Sequence, residues 1–318
     1  MRAFHWFSSH RAPPEQLASS RRWHVQVRCP RGWLIGAVVL SVAASAPRAV
    51  GQTSSSENVN DTLRNVGRRI QEWYSRAQTV VSTETVLIQP LRADMSPDAF
   101  PRRLTFELRV EWDPERFGSF GLPAASVLRQ PLSINGREPV RDRDPGCMDP
   151  KPVSPETLEI LLPERLSESE FSPAGTTRLN GRPAVMIDYR GVAAREPEIA
   201  WVNECVTVSL PGRSRGRIWV DAATYDVLRI DDRLSGRFEF GVPREHVRRG
   251  AAPSMVIERA ESSIRYARIE FDDPRESMML PVSIDTVTVI RGGATQRTRI
   301  TQRLSNHRRF LTEGRIVD

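Results

Sequence analysis

Gly212 to Gly216 read GRSRG, which places Ser214 where a G-x-S-x-G serine hydrolase carries its nucleophile. That chemistry needs a strand before the serine and a helix after it, because the sharp turn lifts the hydroxyl to a helix N-terminus. The following GRIWVD is a strand pattern and cannot supply the helix, so the segment reads as a solvated hairpin loop. Beyond residue 51 the chain has two histidines, His246 in REHVRR and His307 in SNHRRF. Charged neighbours suit an exposed or salt-bridged imidazole better than a general base. No H-x-x-x-H or C-x-x-C spacing is present, and no metal site is expected. Asp142, Asp144 and Asp149 sketch a calcium loop, but Val153 stands where the loop's glutamate belongs, which leaves an acidic turn. The pairs Asp231–Asp232 and Asp272–Asp273 follow strand patterns and read as turn residues. They would act as acid and base only if a cleft joined them to a substrate. Gly292–Gly293, between two strand patterns, is a hairpin turn and not a phosphate loop. No catalytic residue, metal or cofactor is assigned, and the chain is read as a non-enzyme.

With reactive constellations set aside, charge and export signals bound the answer. The chain has 46 basic and 39 acidic side chains, but seven arginines against Glu15 fall in residues 1–51, leaving 39 basic and 38 acidic residues in the rest. A near-neutral body gives no footprint for a polyanion, so nucleic acid is not an expected partner. Residues 1–51 have the three parts of an export signal: basic residues to Arg31, the apolar run WLIGAVVLSVAASA from Trp33 to Ala46, and small residues ending AVGQ. The apolar run is short for a permanent span, although an uncleaved anchor stays open. Gln52 is the expected mature start, since cleavage after Ala46 would leave Pro47 first. The protein is thus expected in the periplasm or outside the cell, with residues 52–318 as one domain.

Cys147 and Cys205 remain after the leader. An oxidising compartment favours their pairing, and a loop of this length would gain about 4 kcal/mol from the bridge, strain aside; two buried thiols are the alternative.

The elements that must position any site are mostly strands. Leu104, Phe106, Leu108, Val110 and Trp112 alternate with polar residues in RRLTFELRVEW, so one strand face is buried and the other wet, the pattern of an antiparallel sheet. Further strands are expected at 79–88, 131–134, 182–192, 199–210, 216–221, 225–231, 237–240, 262–271, 281–290 and 296–304. Asn135–Gly136 and Asn180–Gly181 are hairpin turns, because both residues accept a positive φ. After a polar tail at 52–59, Leu63, Val66, Ile70, Trp73 and Ala77 line one face of a helix over about Asp61 to Gln78, with Asn60 as its cap. SPETLEILLPERLS reads as a second helix, capped by Ser154 and ended or kinked at Pro163.

The strand, Asp turn, strand element GRIWVDAATYDVLRID, with Gly216, Ile218, Trp219, Val220, Asp221, Val227 and Arg229, resembles the outer-membrane lipoprotein carrier and sorting superfamily. The late pair MLPVSIDTVTVI and RTRITQRLSNHRRF is similar too, through Leu280–Pro281 and Arg309–Phe310. The segment around 113–176 departs from a simple carrier as an insertion. The resemblance implies an α+β fold: a strongly curved, mostly antiparallel sheet of about ten strands, an unclosed barrel with the N-terminal helix on its concave face. Leu104, Phe106, Leu108, Val110, Trp112 and Trp219 would then line a hollow of apolar walls without convergent charges, or that face is simply core. The function implied is non-catalytic: an envelope carrier holding a lipid, an acyl chain or a lipoprotein segment, alternatively an interaction or sensory module with a protein partner and no lipid cargo. Either would be a monomer whose membrane contact is at most peripheral.

Overall fold

The computed structural model describes residues 22–23, 52–76, 80–117, 123–139, 155–192, 195–202, 205–247, 252–272, 275–292 and 295–309, with 22–23, 52–57, 74–76, 110–117, 123–127, 155–157, 202 and 205 described by their backbone. In chain order come β1 (Arg22–Trp23), α1 (Gln52–Arg76), β2 (Val80–Pro90), β3 (Arg102–Phe117) and β4 (Pro123–Ile134). Two 3-10 segments, Pro155–Leu161 and Pro163–Glu168, lead to β5 (Ser169–Leu179), β6 (Arg182–Gly191), β7 (Glu198–Val202), β8 (Cys205–Ser209), β9 (Ser214–Asp221) and β10 (Val227–Leu234). The chain ends through β11 (Phe238–Gly241), β12 (Ser254–Asp272), β13 (Arg275–Arg291) and β14 (Thr295–Arg309).

Eleven strands form one antiparallel sheet in the order β4-β3-β2-β14-β13-β12-β10-β9-β6-β5, with β11 also paired to β12. The path begins at β4 and ends at β5 without the two pairing, so the sheet is an open half-barrel. β1, β8 and β7 make a small second sheet. The Asn-Gly hairpins behave as the sequence predicts: φ is +50° and +76° at Asn135 and Gly136, and +52° and +80° at Asn180 and Gly181.

One row of the sheet explains its core. Ile187, Ile218, Ile230, Ile264 and Ile284 stand directly opposite one another across β6, β9, β10, β12 and β13. All five are buried, and β-branched side chains on facing strands pack well in this arrangement. Val59, Leu63, Val66 and Ile70 of α1 share a single hydrophobic cluster with this row. The face α1 meets is called the covered face below, and the other the open face. A second cluster places Val208 and Leu210 with Leu234, Phe240, Ile257 and Ile290, so the small sheet covers another part of the same face.

Several expectations are corrected. α1 begins at Gln52, because Val59 extends the apolar stripe one turn upstream, so 52–59 is helix and Asn60 lies inside it. The second helix is instead the two 3-10 segments, broken at Pro163, where the ring stops the backbone from continuing. Gly67 of α1 lies against this break: a Cβ there would meet the Leu161 carbonyl oxygen and Pro163 Cδ at 3.1 Å. The stretch 199–210 is two strands, β7 and β8, paired as a hairpin. β5 carries no strand signal in the sequence, yet it pairs with β6 through the Asn180–Gly181 turn.

Candidate functional site

At the C-terminal end of α1, the helix and the ends of β12 and β13 leave a small cleft, with a cavity volume of about 40 Å³, that opens to solvent. Ile70, Trp73, Leu158, Tyr266, Met278 and Met279 supply its apolar walls, and Arg69, Glu72, Asp226 and Ser277 bring polar groups to it. Methionine side chains are flexible and polarisable, which suits a wall that adapts to a ligand.

The polar side of the cleft is organised by Asp226, which is 3% exposed. Its carboxylate accepts from Arg69 Nε of α1 at 2.9 Å, from Arg268 Nη2 of β12 at 3.0 Å and from the Thr224 hydroxyl at 2.8 Å. A buried carboxylate is tolerable only with such partners. Asp226 therefore ties the helix to the sheet beside the cleft. The turn that delivers it is fixed by Asp221, which accepts from the Ala223 and Thr224 amides at 2.9 Å and pairs with Arg182 at 2.7 Å. Burial works against ionisation of Asp221, but the Thr224 and Ala223 amides and Arg182 outweigh it and hold its pKa below the usual 3.8. The sequence marked Asp221 as a turn residue and passed over Asp226, which follows Tyr225 at φ +58°.

The covered face also carries charge, contrary to the expected purely apolar wall. Glu84 of β2 is fully buried and accepts from Arg129 Nε and Nη2 of β4 at 2.9 Å each and from Gln302 Nε2 of β14 at 2.7 Å. The Arg129 guanidinium lies 4.6 Å from the Phe106 ring centre. Paired and hydrogen-bonded, the carboxylate avoids the penalty of an isolated buried charge. A third polar point is Tyr189, whose hydroxyl donates to Asp232 at 2.5 Å. The two side chains face each other across Gly216, where a Cβ would meet the Asp231 carbonyl oxygen at 1.9 Å and Tyr189 Cε1 at 2.9 Å.

The structure separates the residues expected to line a hollow. Leu104 and Phe106 are buried in a cluster with Val86 and Ile88, while Leu108 joins the cluster beneath α1. Trp219 alternates with the buried Ile218 and Val220 and so takes the open face, its ring 4.7 Å below the Arg229 guanidinium. The side chains of Val110 and Trp112 lie outside the described residues, as do Cys147, the Cys205 side chain and hence the expected disulfide. Asp142, Asp144 and Asp149 lie outside them too.

Ser214 opens strand β9 and is buried, with no helix after it, so the nucleophile turn is absent. Asp231 and Asp232 are not turn residues: both lie within β10, Asp231 bonded to Arg229 on the open face and Asp232 to Tyr189 on the covered one. The His246 ring stacks on Trp201 at 4.5 Å. Burial holds the His307 imidazole below the ordinary histidine value, against a hydrogen bond with the Pro281 backbone. Among the described residues no group of three His, Cys or carboxylate side chains could hold a metal ion, and no helix is long and apolar enough to cross a membrane.

No protein-family profile matches the chain, and no curated protein matches its sequence. Solved structures do. A DUF1329 family protein from Desulfovibrio piger is 10% identical with a TM-score of 0.39, covering 80% of this chain and 94% of its own. A putative outer membrane lipoprotein-sorting protein domain from Vibrio parahaemolyticus is 10% identical with a TM-score of 0.35, over 80% and 94% of the two chains. A LolA superfamily protein from Nitrosomonas europaea is 8% identical with a TM-score of 0.30, over 80% and 97%. These likenesses assign no role to any residue.

Proposed function

We propose that this protein is a non-catalytic envelope carrier that holds an amphiphile, an acyl chain with a polar head, between α1 and the sheet. The observation that carries the reading is the cleft at the end of α1: an apolar wall of Ile70, Trp73, Met278 and Met279 beside the charged cluster of Arg69, Asp226 and Arg268. The cleft holds only about 40 Å³ as it stands, so an acyl chain enters by displacing α1, and transfer of its apolar surface out of water contributes about 25 cal/mol per Å². Arg69 and Arg268 stand where a ligand's anionic head would compete for them with Asp226. In this reading the covered face is the concave one, and α1 lies in it as the movable wall. Leu104, Phe106 and Leu108 form the floor that a longer cargo would reach if α1 lifted. The export signal expected at residues 1–51 fits an envelope carrier.

Native mass spectrometry of the protein purified from the cell envelope tests the proposal. Copurified lipid is the expected result, and Ser277→Trp, which fills the cleft, is expected to lower its occupancy at least tenfold. A lipid-free mass with a captured protein would replace the carrier by an interaction module.

A further inference from the structure

The open face of the sheet sorts charge in a way the near-neutral sequence conceals. Its outward positions on β6, β9, β10 and β12 hold Arg190, Arg215, Arg217, Arg229, Arg233 and Arg265. Three of these are matched: Arg190 by Glu170, Arg217 by Asp188 and Arg229 by Asp231. Glu261, opposite Arg233 in register, is bonded to Arg259 at 2.7 Å. Among the described residues Arg215, Arg233 and Arg265 have no carboxylate partner, and all three are exposed.

Their placement works against the fold. Arg215 is directly opposite both Arg190 and Arg233, and Arg265 is directly opposite Arg229. Like charges facing each other across neighbouring strands are unfavourable. A local rule broken on a regular sheet is where a binding role is to be sought. The charges are also of one chemical kind, since Lys151 is the one lysine among 46 basic residues. A guanidinium offers a planar fork of donors that matches phosphate oxygens two at a time. On the same face, four residues along β9 from Arg215, stands the half-buried Trp219, its ring under the Arg229 guanidinium that Arg265 faces. Tryptophan settles at the boundary between water and lipid, and arginine stems lie along apolar surface with their heads in the polar layer.

We propose that this open face docks on an anionic phospholipid surface, with Arg215, Arg233 and Arg265 on headgroup phosphates and Trp219 at the interface. The proposal goes beyond the carrier reading, because it concerns the face opposite the cleft.

Flotation with vesicles tests it, using the protein as processed by the expressing cell. The parent is expected to bind equimolar phosphatidylglycerol and phosphatidylcholine vesicles, to leave pure phosphatidylcholine vesicles alone, and to bind less as salt shortens the screening length. Each arginine near an anionic surface contributes about fivefold, so Arg215→Gln with Arg233→Gln is expected to weaken binding about thirtyfold, and Arg265→Gln alone about fivefold. Arg64→Gln, on the solvent side of α1, is the control expected to bind as the parent does. The double variant is also expected to melt no lower than the parent, since it removes a repulsion. Equal binding to both vesicle types, parent-like binding by the double variant, or an equal loss in Arg64→Gln would overturn the proposal. Binding to a nucleic acid or another soluble polyanion but not to vesicles would overturn it too. Lipid occupancy of the cleft, read by mass, is expected to be unchanged in the double variant, which keeps this test separate from the carrier's.

Discussion

Along β10, Ile230 and Asp232 lie in the covered interior while Arg229, Asp231 and Arg233 stand on the open face, two sets interleaved at every second position. The covered set is constrained by partners on other strands: Ile230 by Ile218 and Ile264 on the two adjoining strands, and Asp232 by Tyr189 two strands away. The open set is constrained by neighbours within reach of its own strand or the next, such as Arg229 with Asp231. Polar groups occur on both faces, so polarity does not distinguish them. What differs is the cost of losing a partner, which is large where water cannot replace it and small where it can.

Glu84→Ala tests that contrast most severely. It leaves Arg129 buried without its carboxylate, and a loss of about 3–5 kcal/mol is expected from the urea midpoint. Replacing both, as Glu84→Leu with Arg129→Met, is expected to recover most of it. Ile218→Ala, in the middle of the isoleucine row, is expected to cost about 3 kcal/mol by lost transfer energy and the cavity left behind. Asp221→Asn loses charge-assisted bonds to two amides and Arg182, for about 1–2 kcal/mol at neutral pH. Because the folded pKa of Asp221 lies below its unfolded value, this contribution is complete well above the unfolded pKa and is lost as pH falls through the folded one. Melting curves of parent and variant should therefore converge in acid, and a constant gap would show that the charge is not what matters. Arg217→Gln, on the open face, is expected to change stability by about 0.5 kcal/mol or less despite its bidentate contact with Asp188. A loss as large as that of Glu84→Ala would erase the distinction between the faces.

Much of the fold was legible because its signals are local. The Leu63, Val66, Ile70 stripe, the alternation at Leu104 to Leu108 and both Asn-Gly turns depend on a few adjacent residues. β5 was not legible. An edge strand is paired on one side, buries little, and here contains Pro173 and Gly175, so nothing in SEFSPAGTTRL repeats with period two. The candidate site was legible in pieces. Met278 and Met279 lie in an ordinary strand pattern, and Asp226 looks like one more turn residue until Arg69, 157 residues away in the chain, is bonded to it. Trp219 was grouped with the covered residues, although the alternation with Ile218 and Val220 already placed it on the other face.

The sequence by itself determined the Leu63 to Ile70 helix and most of the strands, which side of those strands is apolar, and that the reactive residues do not assemble by spacing. Only the tertiary structure decided that Glu84 meets Arg129 and Gln302, that Asp226 fastens α1, and that unmatched arginines gather on one surface. Alternation and turn preference act over a few residues, whereas a buried charge and a charged surface are defined by strand order and register, which join positions far apart along the chain.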